Sequence, residues 1–191
     1  GDDMAIELPS TSHFSIVDAA GNVVSMTTTI ENGFGSRLLV EGFLLNNELT
    51  DFSFATHDDD GHTIANAVAP GKRPRSSMAP TIVMRDGKPV LAIGSPGGSQ
   101  IIGYVAQALI AILDWDMNVQ QAAALPHLVN RFGTFEIEAG TGATQQSAAL
   151  REIGFEVKEG DLNSGLHAIA ITPEGLRGGA DPRREGVAAG E

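Results

Sequence analysis

The sequence predicts an α+β protein built in layers, because strand pairs and a few helical stretches occur without a repeating strand–helix–strand alternation. Period-two alternation and β-branched residues mark the strands; longer apolar stretches mark the helices. Residues 13–18 and 23–30 read as strands joined by the turn Ala19-Ala20-Gly21-Asn22, a hairpin candidate. Residues 81–85 and 90–93 form a second through Asp86-Gly87. The best helix covers 100–113, with apolar residues nearly all round, which predicts deep burial. Shorter helices are expected over 119–124, stopped before Pro126, and over 144–153. Residues 155–158, 167–171 and 176–178 read as short strands, and a polar connection containing Pro and Gly runs from Asp51 to Arg75. There is no internal repeat or low-complexity tract.

Composition narrows the class. The 191 residues fit one domain with a real core, and 42% hydrophobic against 19% charged residues is the balance of a globular chain. A formal charge of −12 argues against nucleic acid, whose binding rests on neutralising phosphates with basic side chains. The absence of cysteine excludes disulfides, thiolate metal sites and a cysteine nucleophile. No apolar run reaches the roughly 18 residues of a membrane span. The first ten residues, GDDMAIELPS, are acidic and lack the regions of a signal peptide.

Four segments could carry chemistry. Thr11-Ser12-His13-Phe14-Ser15 is hydroxyl-rich and runs straight into a strand. A threonine hydroxyl is a weak nucleophile until a base takes its proton, and an α-amine on the same residue can serve. Here ten residues precede Thr11, so this chemistry requires cleavage of the Ser10–Thr11 bond; otherwise the run is a strand start with capping hydroxyls. Gly94-Ser95-Pro96-Gly97-Gly98-Ser99 lies between a strand and the long helix. Its unpaired N–H groups could form an oxyanion hole, or the segment is simply a tight turn. It lacks the spacing of a nucleotide-binding loop.

Ser76 and Ser77, between Pro74 and Pro80, read as donors to a carboxylate or as part of a rigid loop. Glu48 and Asp51 could attract an ammonium group or form the first turn of a helix. The run His57-Asp58-Asp59-Asp60-Gly61-His62 reads as an exposed acidic loop, since it lacks the calcium-loop pattern and any helical histidine pair. His13, His127 and His167 sit among apolar neighbours and read as structural, and no G-x-S-x-G elbow supports a serine triad.

The order of these motifs is more specific than any one of them. Thr11-Ser12-His13-Phe14-Ser15-x-x-Asp18, Gly21-Asn22, Thr27-x-Thr29, Phe34-Gly35, Leu45-Asn46-Asn47-Glu48-x-x-Asp51-Phe52, Lys72-Arg73-Pro74-x-Ser76-Ser77-Met78-x-Pro80, Ser95-Pro96-Gly97-Gly98-Ser99 and Ala180-Asp181-Pro182-Arg183 follow one another. From Thr11 to the C-terminus this set resembles the small subunit of the γ-glutamyltranspeptidase family. The resemblance implies an N-terminal-nucleophile hydrolase fold, a four-layer αββα sandwich of which this chain supplies part. It also implies an autocleaving precursor, with residues 1–10 the tail of the large-subunit region and 11–191 the small-subunit catalytic domain.

By the same match Thr11 is the nucleophile, Thr29 its helper, and Gly97 and Gly98 the oxyanion hole. Ser76 and Ser77 hold the substrate α-carboxylate, and Glu48 and Asp51 the α-amino group. The implied reaction transfers or hydrolyses the acyl group of a γ-glutamyl amide such as glutathione, to water or to an amino-acid or peptide amine, without a cofactor. The implied partner is a large subunit absent from this chain, which makes the chain alone inactive; relatives are typically exported or periplasmic. One position departs from the family, which usually has Asn two residues after the helper; here it is Glu31, a substrate-binding candidate. That departure keeps a related acylase of other specificity, such as a glutaryl acylase, as the alternative, with a non-catalytic interaction module behind it.

Overall fold

The computed structural model describes residues 11–190; the expected upstream tail, 1–10, lies outside the described residues. The chain divides into two compact units, one holding Thr11 and Thr29–Ser77, the other Ser12–Thr28 and the chain from Met78 onward.

The first hairpin forms as expected. β1 (Ser12–Val17) and β2 (Val23–Thr28) pair antiparallel from Ser12 opposite Thr28 to Val17 opposite Val23. Asp18 closes the turn by accepting the backbone N–H groups of Ala20 at 2.9 Å and Asn22 at 2.8 Å, and the Asn22 amide at 2.7 Å.

The first unit is mostly loop, with one two-stranded ribbon that the sequence reading missed: β3 (Leu39–Val40) and β4 (Phe43–Leu44). Glu41 and Gly42 between them both have positive φ, at 49° and 88°, as a two-residue hairpin turn requires. At Gly35 a β-carbon would lie 2.2 Å from the carbonyl oxygen of Leu45, so only glycine fits there.

In the second unit β5 (Thr81–Arg85) and β6 (Lys88–Gly94) form the second expected hairpin through Asp86 and Gly87, at φ 51° and 76°. The long helix starts as a 3₁₀ turn, Gly98–Gln100, and continues as α1 (Ile101–Leu113). α2 (Val119–Ala123) begins at a capping box, Asn118 and Gln121 each accepting the other's backbone N–H. Next come β7 (Leu128–Asn130) and β8 (Phe135–Glu138), a short hairpin not anticipated from the sequence. The expected 144–153 helix is a 3₁₀ turn, Gly142–Gln146, followed by α3 (Ser147–Glu152). β9 (Val157–Gly160) pairs parallel to β8, starting two residues later than expected. β10 (His167–Thr172) and β11 (Gly175–Ala180) complete a four-stranded sheet in the order β11-β10-β6-β5.

Alternation along the sheet separates its two faces. Leu91, Ile93 and Ala168 pack with Ile101, Val105, Ala108 and Ala111 of α1 and with Val119, Ala122 and Ala123 of α2. Gly94 turns to the other face and meets the β1–β2 hairpin: a β-carbon there would lie 2.2 Å from Cε1 of His13. The unit is therefore hairpin on sheet on helices. α1 is less enclosed than its composition suggests, since Ile102, Ile110 and Leu113 are exposed.

His13 is buried, its ring nitrogens 2.8 Å from the Thr27 hydroxyl and 3.1 Å from the Ser15 hydroxyl. Burial, with His167 nearby, pushes its pKa down to about 4, so the imidazole that fills the space over Gly94 is neutral. Gly94→Ala must displace that ring, and overpacking of this kind costs about 1–3 kcal/mol. Chemical denaturation should show a lower midpoint with an unchanged m-value; equal midpoints would mean the layers are not in contact at this glycine.

Candidate active site

In the first unit the Thr11 hydroxyl donates to Thr29 Oγ1 at 3.1 Å, and Thr11 is only 8% exposed. Thr29 Oγ1 also accepts the backbone N–H of Glu31 at 2.8 Å. Glu31 adopts φ 70°, a left-handed conformation that costs a non-glycine residue of order 1 kcal/mol. In this conformation the Glu31 N–H meets the Thr29 hydroxyl and the carboxylate meets Asn47.

Asn47 is a residue that sequence reasoning did not single out. Its amide donates to Glu31 Oε2 and to Thr50 Oγ1, at 3.0 Å for the latter. Its carbonyl oxygen accepts Asn32 N–H at 3.0 Å, and its own N–H reaches Ile30 O at 3.2 Å. One side chain thus fixes both the backbone and the carboxylate of the 30–32 segment. A second asparagine links the other two candidate segments: Asn66 donates to Asp51 O at 2.6 Å and accepts Arg75 N–H at 3.0 Å. Lys72 holds the same loop through the carbonyls of Ala65 and Ala67. The candidates Thr11, Thr29, Glu31, Glu48, Asp51, Ser76 and Ser77 therefore all belong to the first unit.

Glu48 and Asp51 open and close one 3₁₀ turn. Glu48 Oε1 is buried with no hydrogen-bond partner among the described residues. Burial first, then the charge of Asp51, its hydrogen bond and the charge of Glu31, raise the Glu48 pKa to about 7. A carboxyl group held back from ionising, with an oxygen unsatisfied, is suited to receive a cation. The acidic run, by contrast, is an exposed hairpin tip closed by a His57–Thr63 bridge, with Asp58 accepting the N–H groups of Asp60 at 3.1 Å and His62 at 2.8 Å.

Gly97 and Gly98 belong to the second unit. They have φ 138° and 57°, and Gly98 opens the 3₁₀ turn leading into α1. The hydroxyl of Ser95, fully buried, donates to Pro96 O at 2.6 Å and accepts Gly165 N–H at 3.1 Å. Behind this loop lies a buried polar network whose geometry the sequence did not disclose. His127 Nε2 is 2.6 Å from Ser164 Oγ, and Ser164 donates to Asp181 Oδ2, which also accepts Leu166 N–H at 3.0 Å. Arg183 bridges Asp181 and Glu138, meeting Glu138 through two bonds of 2.6 and 2.7 Å. Burial by itself would raise Asp181, but these hydrogen bonds keep its pKa below the usual value. Burial, then Arg183, lowers His127 to about 4. His127 and His13 are both buried, and neighbouring hydroxyl groups meet their ring nitrogens.

Known proteins resemble this chain along most of its length. The family model for gamma-glutamyltranspeptidase matches residues 3–191. A glutathione hydrolase proenzyme of Escherichia coli is 37% identical over 185 residues, covering 93% of this chain and 32% of that protein. Acylase ACY 1 proenzyme of a Pseudomonas species is 32% identical over 184 residues, covering 95% of this chain and 32% of its own. The gamma-glutamyltranspeptidase structure from Pseudomonas nitroreducens superposes with a TM-score of 0.81 at 35% identity, covering 94% of this chain and 98% of that one. The mixed helix–strand fold is thus that of the N-terminal-nucleophile hydrolases. The chain spans about a third of the length of the curated relatives it matches.

The raised pKa of Glu48 has a defined sign. Its neutral form is favoured in the folded chain, so this group's contribution to stability declines as pH rises from about 4.5 and levels off above about 7. Carbon-13 NMR of the Glu48 carboxyl should show a midpoint near 7, and Asp51→Asn should move it down. A wild-type midpoint in the ordinary glutamate range would exclude the buried, repelled carboxylate described above.

Proposed function

This chain belongs to the γ-glutamyltranspeptidase family, and we propose that it is the catalytic half of a γ-glutamyl transferase and hydrolase working through a threonyl acyl-enzyme. The observation that carries the proposal is the hydroxyl pair: Thr11 donates to Thr29, whose oxygen is itself fixed by the Glu31 N–H. Cleavage of the Ser10–Thr11 bond converts the Thr11 amide nitrogen to an α-amine, whose pKa of about 7.7–8.0 suits a general base. That amine takes the hydroxyl proton as Thr11 Oγ1 attacks the γ-carbonyl. Gly97 and Gly98 N–H groups receive the oxyanion, the C–N bond breaks, and the leaving amine departs with the proton. Water or an acceptor amine then attacks the ester and regenerates the hydroxyl. Glu48, Asp51 and Glu31 hold the substrate ammonium, and Ser76 and Ser77 its α-carboxylate. No cofactor enters these steps.

The partner in this reading is the large subunit of the same precursor. The relatives are about three times as long as this chain. The outer face of the β1–β2 hairpin carries Phe14, Ile16, Val24 and Met26, all exposed and paired across the two strands. We assign that face to the large subunit, which would add the layer that completes an αββα sandwich. Exported or periplasmic localisation is carried over from the family alone.

A second reading, an acylase of other acyl specificity, is favoured by the likeness to the Acylase ACY 1 proenzyme. A substrate panel of γ-glutamyl and glutaryl amides separates the two.

The decisive experiment expresses this chain as part of its precursor and measures intact mass, N-terminal sequence and γ-glutamyl-p-nitroanilide turnover. The expected product is a chain beginning at Thr11 with activity, while Thr11→Ala leaves an uncleaved and inactive precursor. The isolated 191-residue chain is expected to be inactive. A precursor that turns over substrate with the Ser10–Thr11 bond intact would exclude Thr11 as nucleophile.

A further inference from the structure

Gly97 packs against a residue outside every motif named above. Its φ of 138° is a backbone state that side-chain-bearing residues rarely adopt. A β-carbon on Gly97 would lie 2.6 Å from Cε2 and 2.9 Å from Cδ2 of Tyr104. The tyrosine ring therefore lies directly against the loop at its sharpest bend.

Tyr104 is itself held on three sides. It is fully buried, and its ring meets that of His127 at a tilt of 34° with centroids 4.2 Å apart. Its hydroxyl donates to Gln100 Oε1 at 2.5 Å, and the Gln100 backbone N–H returns to Gly97 O at 3.1 Å. Gln100 also donates to Glu136 Oε2 at 2.5 Å. His127 is locked in turn by Ser164, and Gly165, the next residue, donates to Ser95 at the loop's start. Ring, hydroxyl and the neighbouring imidazole thus brace the loop from the side of α1.

We propose that Tyr104 is a positioning residue for the oxyanion-binding loop: its ring presses the Gly97–Gly98 backbone into the orientation that receives the developing negative charge. This rests on the catalytic reading given above. Donors aimed at an oxyanion act in the transition state far more than in the bound substrate. Loss of the wedge should therefore slow acylation and spare substrate binding.

The test uses the precursor with Tyr104→Leu, Tyr104→Met and Tyr104→Phe, followed by single-turnover acylation with γ-glutamyl-p-nitroanilide. Leu and Met fill much of the space without a flat ring. Both should lower the acylation rate by about 10²-fold, the scale of a misplaced oxyanion donor, with substrate affinity nearly unchanged. Phe keeps the ring and loses one hydrogen bond, so it should stay within roughly fivefold of wild type. If the Leu chain fails to fold, the Met variant decides. The inference is overturned if the variants acylate at the wild-type rate, if they weaken affinity and leave the rate intact, or if Phe falls as far as Leu. A wild-type precursor with no turnover would sink the catalytic reading, and this one with it, whereas active wild type beside equally active Leu and Met variants sinks only the role of Tyr104.

Discussion

The second unit is organised by the contact between the His13 imidazole and the bare α-carbon of Gly94. A neutral ring buried between two strand layers brings the β1–β2 hairpin close to the four-stranded sheet, and the Thr27 and Ser15 hydroxyls satisfy its nitrogens. Ser25 adds a direct tie, donating to Ile93 O at 3.0 Å. The opposite face of that sheet is dry, with Leu91 and Ile93 against α1 and α2. Polar but satisfied packing on one face and apolar packing on the other fix how the hairpin can sit. A charged imidazole there would demand water that the contact excludes, which is why its depressed pKa belongs to the architecture.

The same device recurs at the candidate oxyanion loop. Gly97 takes Tyr104 against its α-carbon as Gly94 takes His13. In both cases an aromatic side chain, held by hydrogen bonds from its own polar atoms, sets a backbone position that no local propensity would choose. The first unit uses asparagines instead. Asn47 clamps Glu31 and the strained turn before it, and Asn66 joins the Asp51 turn to the loop that ends at Ser77. Amides suit this task because each supplies donors and an acceptor without adding charge to an already acidic segment.

Much of this could be read from the sequence, and the reasons differ between elements. The hairpins 12–28 and 81–94 announced themselves through alternation and turn residues, since Asp86-Gly87 needs little context to turn a chain. β3, β4, β7 and β8 have two to four residues each, too short for any period to show. α1 appeared apolar all round, yet Ile102, Ile110 and Leu113 are exposed, because composition counts apolar residues without saying which face has a neighbour. Among the candidate site residues, motif order singled out Thr11 and Thr29, and their hydroxyls are bonded. Asn66 and Tyr104 gave no signal on their own, and Asn47, though inside a quoted motif, gave none as a clamp: an asparagine in a loop and a tyrosine in an apolar helix are ordinary until their partners are known. Arg183 and Asp181 lay in a quoted motif, but nothing in the spacing disclosed that they close a buried network with Glu138, Ser164 and His127.

In the proposed reaction Glu31 bears most directly on substrate class, and its environment favours a cation. Its carboxylate is held by Asn47 in the same unit as Glu48 and Asp51, and its charge is one of the causes that raise Glu48. Like charges gathered this way oppose one another unless a positive group joins them. An ammonium group would let Glu48 ionise and would satisfy its empty oxygen, whereas a neutral methylene at the same place would leave both costs standing. A γ-glutamyl chain carries an ammonium at its α-carbon and a glutaryl chain does not. Replacing a neutral asparagine by glutamate therefore strengthens the case for an amine-bearing acyl group, since it adds negative charge where the glutaryl group offers nothing to neutralise it.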